Sequence, residues 1–373
     1  MKEFAMIGTI LTNKYKILSE IGEGGMSIVF LAEHIILKRK YAVKMLAHHL
    51  TKTPEFEERF LKEGLAQAQL LHENIVQIID YIKEDDNTFL LMDYIRGVCL
   101  DKLIMQKGKL KESECYQIMG DILSALNFAH MNRVIHRDIK PSNIIIANTG
   151  KALLMDFGIA IMLGDKRLTA TGTNIGTSWY MSPEHVTRPR EIDHRSDVYS
   201  MGIVLYEMLT GDVPFDGETD YEIKDKHVRK PPVPPIEKNS SISMAMNNIV
   251  LKSIAKNPDE RFNGCGEFLG YIQALKNEKL EKPDISNNLK NKDSKKKAKP
   301  EKKQTSSLLL NNIPSTSEFF FNVKAGISSN TQSELKNNET VDHFSDVKGE
   351  TSSQIFGWII AIIVATILRL IMN

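Results

Sequence analysis

Cysteine is scarce in this sequence: Cys99, Cys115 and Cys265 are the only three in 373 residues. Three widely spaced thiols exclude a disulfide framework and match no zinc-ligand spacing, which points to a reducing compartment. Net charge is equally scarce, at a formal +1, and this argues against a whole-protein electrostatic role with nucleic acid. Met1-Lys2 and the apolar stretch from Phe4 to Leu11 lack a small-residue cleavage site. They run into a strand-like Tyr15–Leu18 and read as an opening strand, not a secretory leader. No repeat of solenoid period is visible.

What is present is ordinary globular composition, 42% apolar and 25% charged. The pattern is dense from Tyr15 to Leu275. Strand signals at Tyr41–Lys44 and Ile75–Ile79 flank one helix. Thr53 as N-cap, Pro54 at the first helical position and Glu55, Glu57 and Glu58 in the first turn mark its start. After Asp93 come long apolar-periodic helices, such as Lys111–Met131 and Asp197–Thr210. The expectation is an α+β fold with a small strand-rich lobe and a larger helical lobe.

Residues 276–354 form a polar, Lys-rich linker. Asn, Ser, Lys and Thr dominate Pro283–Gln354, too little apolar surface to offset ordering entropy, so disorder is expected. Eight lysines against Asp293 and Glu301 mark Lys290–Lys303. A solvated linker is the first reading of that run, then an anionic-lipid contact, then a nucleic-acid contact. The apolar block 355–372 would span roughly 27 Å as a helix, close to a hydrocarbon core of about 30 Å. Arg369 near its end can snorkel and Trp358 suits an interface, so a transmembrane helix is expected.

The chemistry-bearing residues follow in order. Gly22 and Gly24 hold the first two places of a G-x-G-x-x-G turn, with Ser27 in the third. Between strands, such a turn lets backbone close over phosphates where bulkier side chains would not. No helix follows at once, which argues against a dinucleotide-binding fold. Lys44 lies on a strand and Glu63 on the next helix, sharing a face with Phe56, Phe60 and Gln67; a carboxylate there calls for a cation, and Lys44 is the natural one. In His136-Arg137-Asp138-Ile139-Lys140-Pro141-Ser142-Asn143, Asp138 can accept a hydroxyl proton and Lys140 can neutralise charge on a transferred phosphoryl group. Asn143 and Asp156, the latter in Asp156-Phe157-Gly158, offer the hard oxygens that Mg²⁺ prefers.

These motifs, in this order and separation, resemble those of the eukaryotic-type protein kinases, in particular the bacterial membrane-bound Ser/Thr branch with its Gly-Gly-Met-Ser loop. The resemblance covers about residues 15–275. It implies a bilobal fold that uses ATP with Mg²⁺ or Mn²⁺ and acts on protein substrates. ATP would lie under Ile21, Gly22, Glu23, Gly24, Gly25, Met26, Ser27, Ile28 and Val29. Val29, Ala42 and Ile145 match the apolar positions around adenine, Met92 the gatekeeper and Asp93 to Ile95 the hinge. Gly176–Glu184 matches the site that receives the substrate chain, with Ser182 in place of the usual Ala. Glu184 should pair with Arg261, and Asp197 should brace the catalytic loop. Lys140 and Thr177 look like the Ser/Thr branch. Arg137 beside Asp138 implies that an activation-loop phosphate orders the loop, with Thr169, Thr171 and Thr173 as acceptors, Thr169 and Thr171 first.

Two departures stand out. Gly64, inside the helix of Glu63, should cost about 1 kcal/mol relative to Ala and leave that helix loosely fixed until a homodimer forms or phosphate is added. The related membrane kinases carry extracellular sensor repeats after the span, whereas this sequence stops at Asn373, so no external sensor is expected. Two rivals remain in view: a membrane-anchored pseudokinase scaffold, against which Lys44, Asp138, Asn143 and Asp156 count, and a small-molecule phosphotransferase, against which Gly176–Glu184 counts.

Overall fold

The computed structural model describes residues 6–48, 50–51, 53–84, 86–157 and 178–281. The small lobe is built on a six-stranded antiparallel sheet in the order β1-β2-β3-β4-β6-β5. Its strands are β1 (Ile10–Leu11), β2 (Tyr15–Glu23), β3 (Ser27–His34), β4 (Lys40–Leu46), β5 (Ile78–Glu84) and β6 (Asn87–Asp93). Alternation along β3 puts Ile28, Phe30 and Ala32 into an apolar core with Ile17, Val43, Phe89 and Leu91. Register shifts in β2 at Ile17/Ser19 and Glu20/Gly22 bend the strand just before the glycine turn.

The expected strand at Ile75–Ile79 is displaced. Ile75 makes only an isolated bridge to Leu154, and the paired strand begins at Ile78 and runs to Glu84. The N–H of Val76 donates to Leu154 O (2.9 Å), so this stretch ties to the other lobe before entering the sheet.

Helix α1 (Pro54–Ala68) starts where Thr53 and Pro54 indicated, although the Thr53 side chain makes no capping bond. Phe60 and Gln67 are buried, and Gln67 donates to Val76 O (2.7 Å). Gly64 overturns its expected role. A Cβ there would lie 2.5 Å from Leu90 Cδ2 and 3.0 Å from Cδ1. The glycine lets α1 settle against β6, and so seats the helix that its propensity alone would loosen.

The large lobe opens with a small sheet, β7 (Gly97–Cys99), β8 (Ile144–Ala147) and β9 (Ala152–Leu154), antiparallel throughout. The helices of this lobe are α2 (Leu100–Lys107), α3 (Glu112–Met131), α4 (Pro183–Thr187), α5 (Arg195–Thr210), α6 (Asp220–Arg229), α7 (Pro235–Lys238), α8 (Met244–Ser253) and α9 (Cys265–Glu281), of which α2 and α3 pack against the small sheet. Nearly every residue of α5 is buried, so it reads as apolar all round and forms the lobe's axis. Helix α9 runs past the expected boundary at Leu275, so residues 276–281 are helical and not linker. Among the described residues no helix is long and apolar enough to cross a membrane. The expected tether from Pro283, the expected span 355–372, and Thr169, Thr171, Thr173 and Thr177 lie outside the described residues.

Candidate active site

The glycine turn joins β2 to β3, with Gly24 N–H donating to Ser27 O (2.8 Å). An added Cβ would meet only ordinary contact at Gly22 and Gly24 and open space at Gly25, and none of the three has a positive φ. Neither packing nor backbone geometry therefore calls for glycine here. Beneath the turn, Val29, Ala42, Met92, Ile95 and Ile145 belong to one apolar cluster drawn from both lobes. The N–H of Asp93 is committed to Gln77 O (3.0 Å) and its carboxylate to Arg39 (2.5 Å). Donors offered by this connection thus belong to Tyr94 or Ile95.

Lys44, on β4, meets Glu63 from α1 at 3.0 Å and Asp156 at 2.8 Å. Burial alone would lower the Lys44 pKa, but Asp156 and Glu63 together hold it above its usual value. Burial raises Glu63 despite Lys44, while Lys44 outweighs burial at Asp156 and keeps that carboxyl low. Asp156 sits at φ 59° and Arg137 at φ 69°. Left-handed geometry at a non-glycine residue costs on the order of 1–3 kcal/mol and persists only where surroundings impose it.

Those surroundings are visible. Asp197 at the start of α5 accepts the N–H of His136 (2.9 Å) and of Arg137 (2.9 Å), and contacts His130 Nε2 (2.7 Å). His130 and the Arg137 N–H, with His136, keep the Asp197 carboxyl below its usual pKa against its burial. His136 is fully buried, contacts Met155 O through Nε2 (3.0 Å) and lies against the Phe157 ring. The loop thus presents Asp138 with two donors on Oδ2, Lys140 Nζ (2.7 Å) and Asn143 Nδ2 (3.1 Å). Asn143 Nδ2 also donates to Asp138 O (2.7 Å), which orients its Oδ1 as the remaining hard oxygen. Met155 N–H donates to Asn143 O (3.0 Å) and pins Asp156 beside this turn.

Below the cleft, Ser178 bonds Asp220, and Tyr180 donates to Glu207 (2.7 Å). Arg261 grips Glu184 through two bonds of 2.7 and 2.8 Å, as expected of that pair. The supporting roles of His130 and His136 are not legible in the sequence, because Asp197 lies far along the chain and carries no local signal of its partners.

A model of the protein kinase domain family matches residues 15–277. The chain belongs to that family. Serine/threonine-protein kinase PrkC of Bacillus subtilis is 41% identical over 268 residues, 72% of this chain and 41% of that protein. A probable serine/threonine-protein kinase of Clostridium acetobutylicum is 40% identical over 272 residues, 73% and 41% respectively. PknB of Mycobacterium tuberculosis is 38% identical over 273 residues, 72% and 44%. The chain therefore spans about two-fifths of the length of these curated relatives. The crystal structure of a mutant form of the Mycobacterium tuberculosis PknI kinase domain superposes with TM-score 0.57 at 23% identity, covering 72% of this chain and 98% of that one, and shows a shared fold.

Proposed function

We propose that this chain is an ATP-dependent protein kinase that phosphorylates Ser or Thr on proteins, itself included. One observation carries the reading. Lys44, Glu63 and Asp156 meet within 3.0 Å, and Met155 ties them directly to the turn bearing Asp138 and Asn143. The relatives' names agree with it.

In this mechanism Lys44, aimed by Glu63, holds the nucleotide phosphates. Asp138 accepts the acceptor hydroxyl's proton on Oδ1, since both protein donors reach Oδ2. Lys140 moves from Asp138 to the charge that builds on the transferred group. Among the described residues no group of three or more His, Cys, Asp or Glu is placed to hold a metal ion by itself; Asp156 and Asn143 would hold a magnesium ion together with phosphate oxygens, as the hard oxygens of both side chains allow. Bound there, Mg²⁺ would neutralise phosphate charge; Mn²⁺ has the same ligand taste. Asp138→Asn should lower phosphoryl transfer on the order of 10²–10⁴-fold with nucleotide binding retained. Near-normal turnover of a generic protein acceptor would sink the mechanism.

The proposal extends to Thr169 and Thr171 as autophosphorylation sites answering to Arg137, reached within a homodimer. It places the kinase lobe on the cytoplasmic side of a cell membrane, held by the helix 355–372. A flexible tether of 72 residues, Pro283–Gln354, would reach roughly 50 Å. Deleting residues 355–373 should move the protein from a carbonate-washed membrane fraction to the soluble one and leave peptide phosphorylation nearly unchanged. A full-length protein already soluble after that wash would refute the anchor.

A further inference from the structure

Trp179 is the residue that the proposed chemistry leaves unused. It stands between Ser178 and Tyr180, both tied down by Asp220 and Glu207. Its ring is half-buried on the large-lobe core, and its Nε1 donates to Asp216 Oδ1 (3.0 Å). Gly217 N–H donates to the same oxygen (2.8 Å). The indole is therefore fixed in plane beside an exposed carboxylate.

More of the same chemistry surrounds it. Glu218 is exposed, and Tyr221 at the start of α6 is 77% exposed. Among the described residues neither Asp216 nor Glu218 has an ion-pair partner. The nearby cation, Lys226, is taken by Glu222 and by the main-chain oxygen of Asp216. An oriented aromatic face flanked by unpaired carboxylates suits a guanidinium or ammonium, through cation–π attraction and charge pairing together.

We infer that Trp179, with Asp216 and Glu218, forms a specificity site for a basic side chain of the protein substrate. The inference rests on the kinase reading and names its substrate class. The chain's own sequence supplies such a ligand: Lys166 and Arg167 stand just ahead of Thr169. A second copy offering Thr169 would bring both cations with it.

The test uses the full-length chain with ATP and Mg²⁺ and two peptides. One carries the sequence of residues 163–175; the other has alanine in place of Lys166 and Arg167. The basic peptide should show kcat/KM about tenfold higher, expressed mainly in KM. Asp216→Asn combined with Glu218→Gln should bring that ratio near one; the Asn keeps an oxygen for the indole N–H. Glu218→Lys should turn the preference toward the alanine peptide, a gain that a misfolded protein does not produce. Equal kcat/KM on the two peptides in the unaltered chain, or an unchanged ratio in both variants, would overturn the inference while leaving the kinase reading intact. Absence of transfer to these peptides and to any generic protein acceptor overturns both.

Discussion

Two carboxylate–cation groupings in this protein look alike in sequence and differ in kind. Arg261 has five N–H donors, and all five are matched: two to Glu184 and one each to Ala255 O, Arg195 O and Lys256 O, with Glu184 also accepting from Ser196. Its side chain is 0% exposed. Lys44 has three donors and meets two acceptors, Glu63 and Asp156, and the Asp156 side chain is 28% exposed. The first grouping is saturated and closed, and can only hold the large lobe together. The second keeps a donor and an accessible carboxylate in reserve, as a site that exchanges partners with a ligand must.

The largest expected effect falls on the closed pair. Arg261→Ala should cost about 3–5 kcal/mol in urea unfolding, because it leaves Glu184 buried and unpaired. A loss below about 1 kcal/mol would break the distinction. Acid should act in the same place. Glu184 is held below its usual pKa by Arg261 and Ser196, in spite of burial. A depressed carboxyl contributes stability that is present above its unfolded value and lost as pH falls through its folded one. The unaltered chain should therefore lose stability below about pH 4 more steeply than Glu184→Gln does.

The open grouping predicts the reverse profile. Lys44→Met should reduce phosphoryl transfer on the order of 10²–10³-fold, read as kcat/KM, with a smaller change in unfolding free energy than Arg261→Ala gives. A variant that unfolds as readily as Arg261→Ala would show that Lys44 is a structural anchor too.

Much of this was legible in the residues. The proton transfer and metal binding proposed for this site demand particular atoms, so Asp138, Asn143 and Asp156 stand out wherever the spacing allows. Lys44 and Glu63 could be paired because helix periodicity put Glu63 on the face of Phe60 and Gln67. What escaped was set by packing at long range. The strand at Ile78 starts late because Ile75 and Val76 are drawn toward Leu154. The small sheet of β7, β8 and β9 has strands too short to stand out by alternation. Trp179 has no local mark of its bond to Asp216, which lies two helices away in sequence.

Gly64 gives the smallest and most discriminating effect, because two local terms oppose each other there. Replacing it by Ala gains about 1 kcal/mol of helix propensity. Against that, the new Cβ would stand 2.5 Å from Leu90 Cδ2, 3.0 Å from Cδ1 and 3.3 Å from Cγ. Leu90 is 3% exposed in the cluster that also holds Phe60 and Met92, so its methyls have little room to yield. Overpacking of this sort costs about 1–3 kcal/mol, and the net change should be a loss of about 0–2 kcal/mol. The strain is relieved most readily by moving α1 away from β6, and α1 carries Glu63. Gly64→Ala should therefore weaken nucleotide binding and turnover several-fold out of proportion to its stability change, by lengthening the Lys44–Glu63 contact. The Glu184–Arg261 pair, in the other lobe, should not register it. Adding Leu90→Val to Gly64→Ala should restore part of the lost turnover, since it removes the atoms the Cβ meets. If Gly64→Ala instead proves more stable and equally active, helix propensity governs this site and the glycine is not what seats α1.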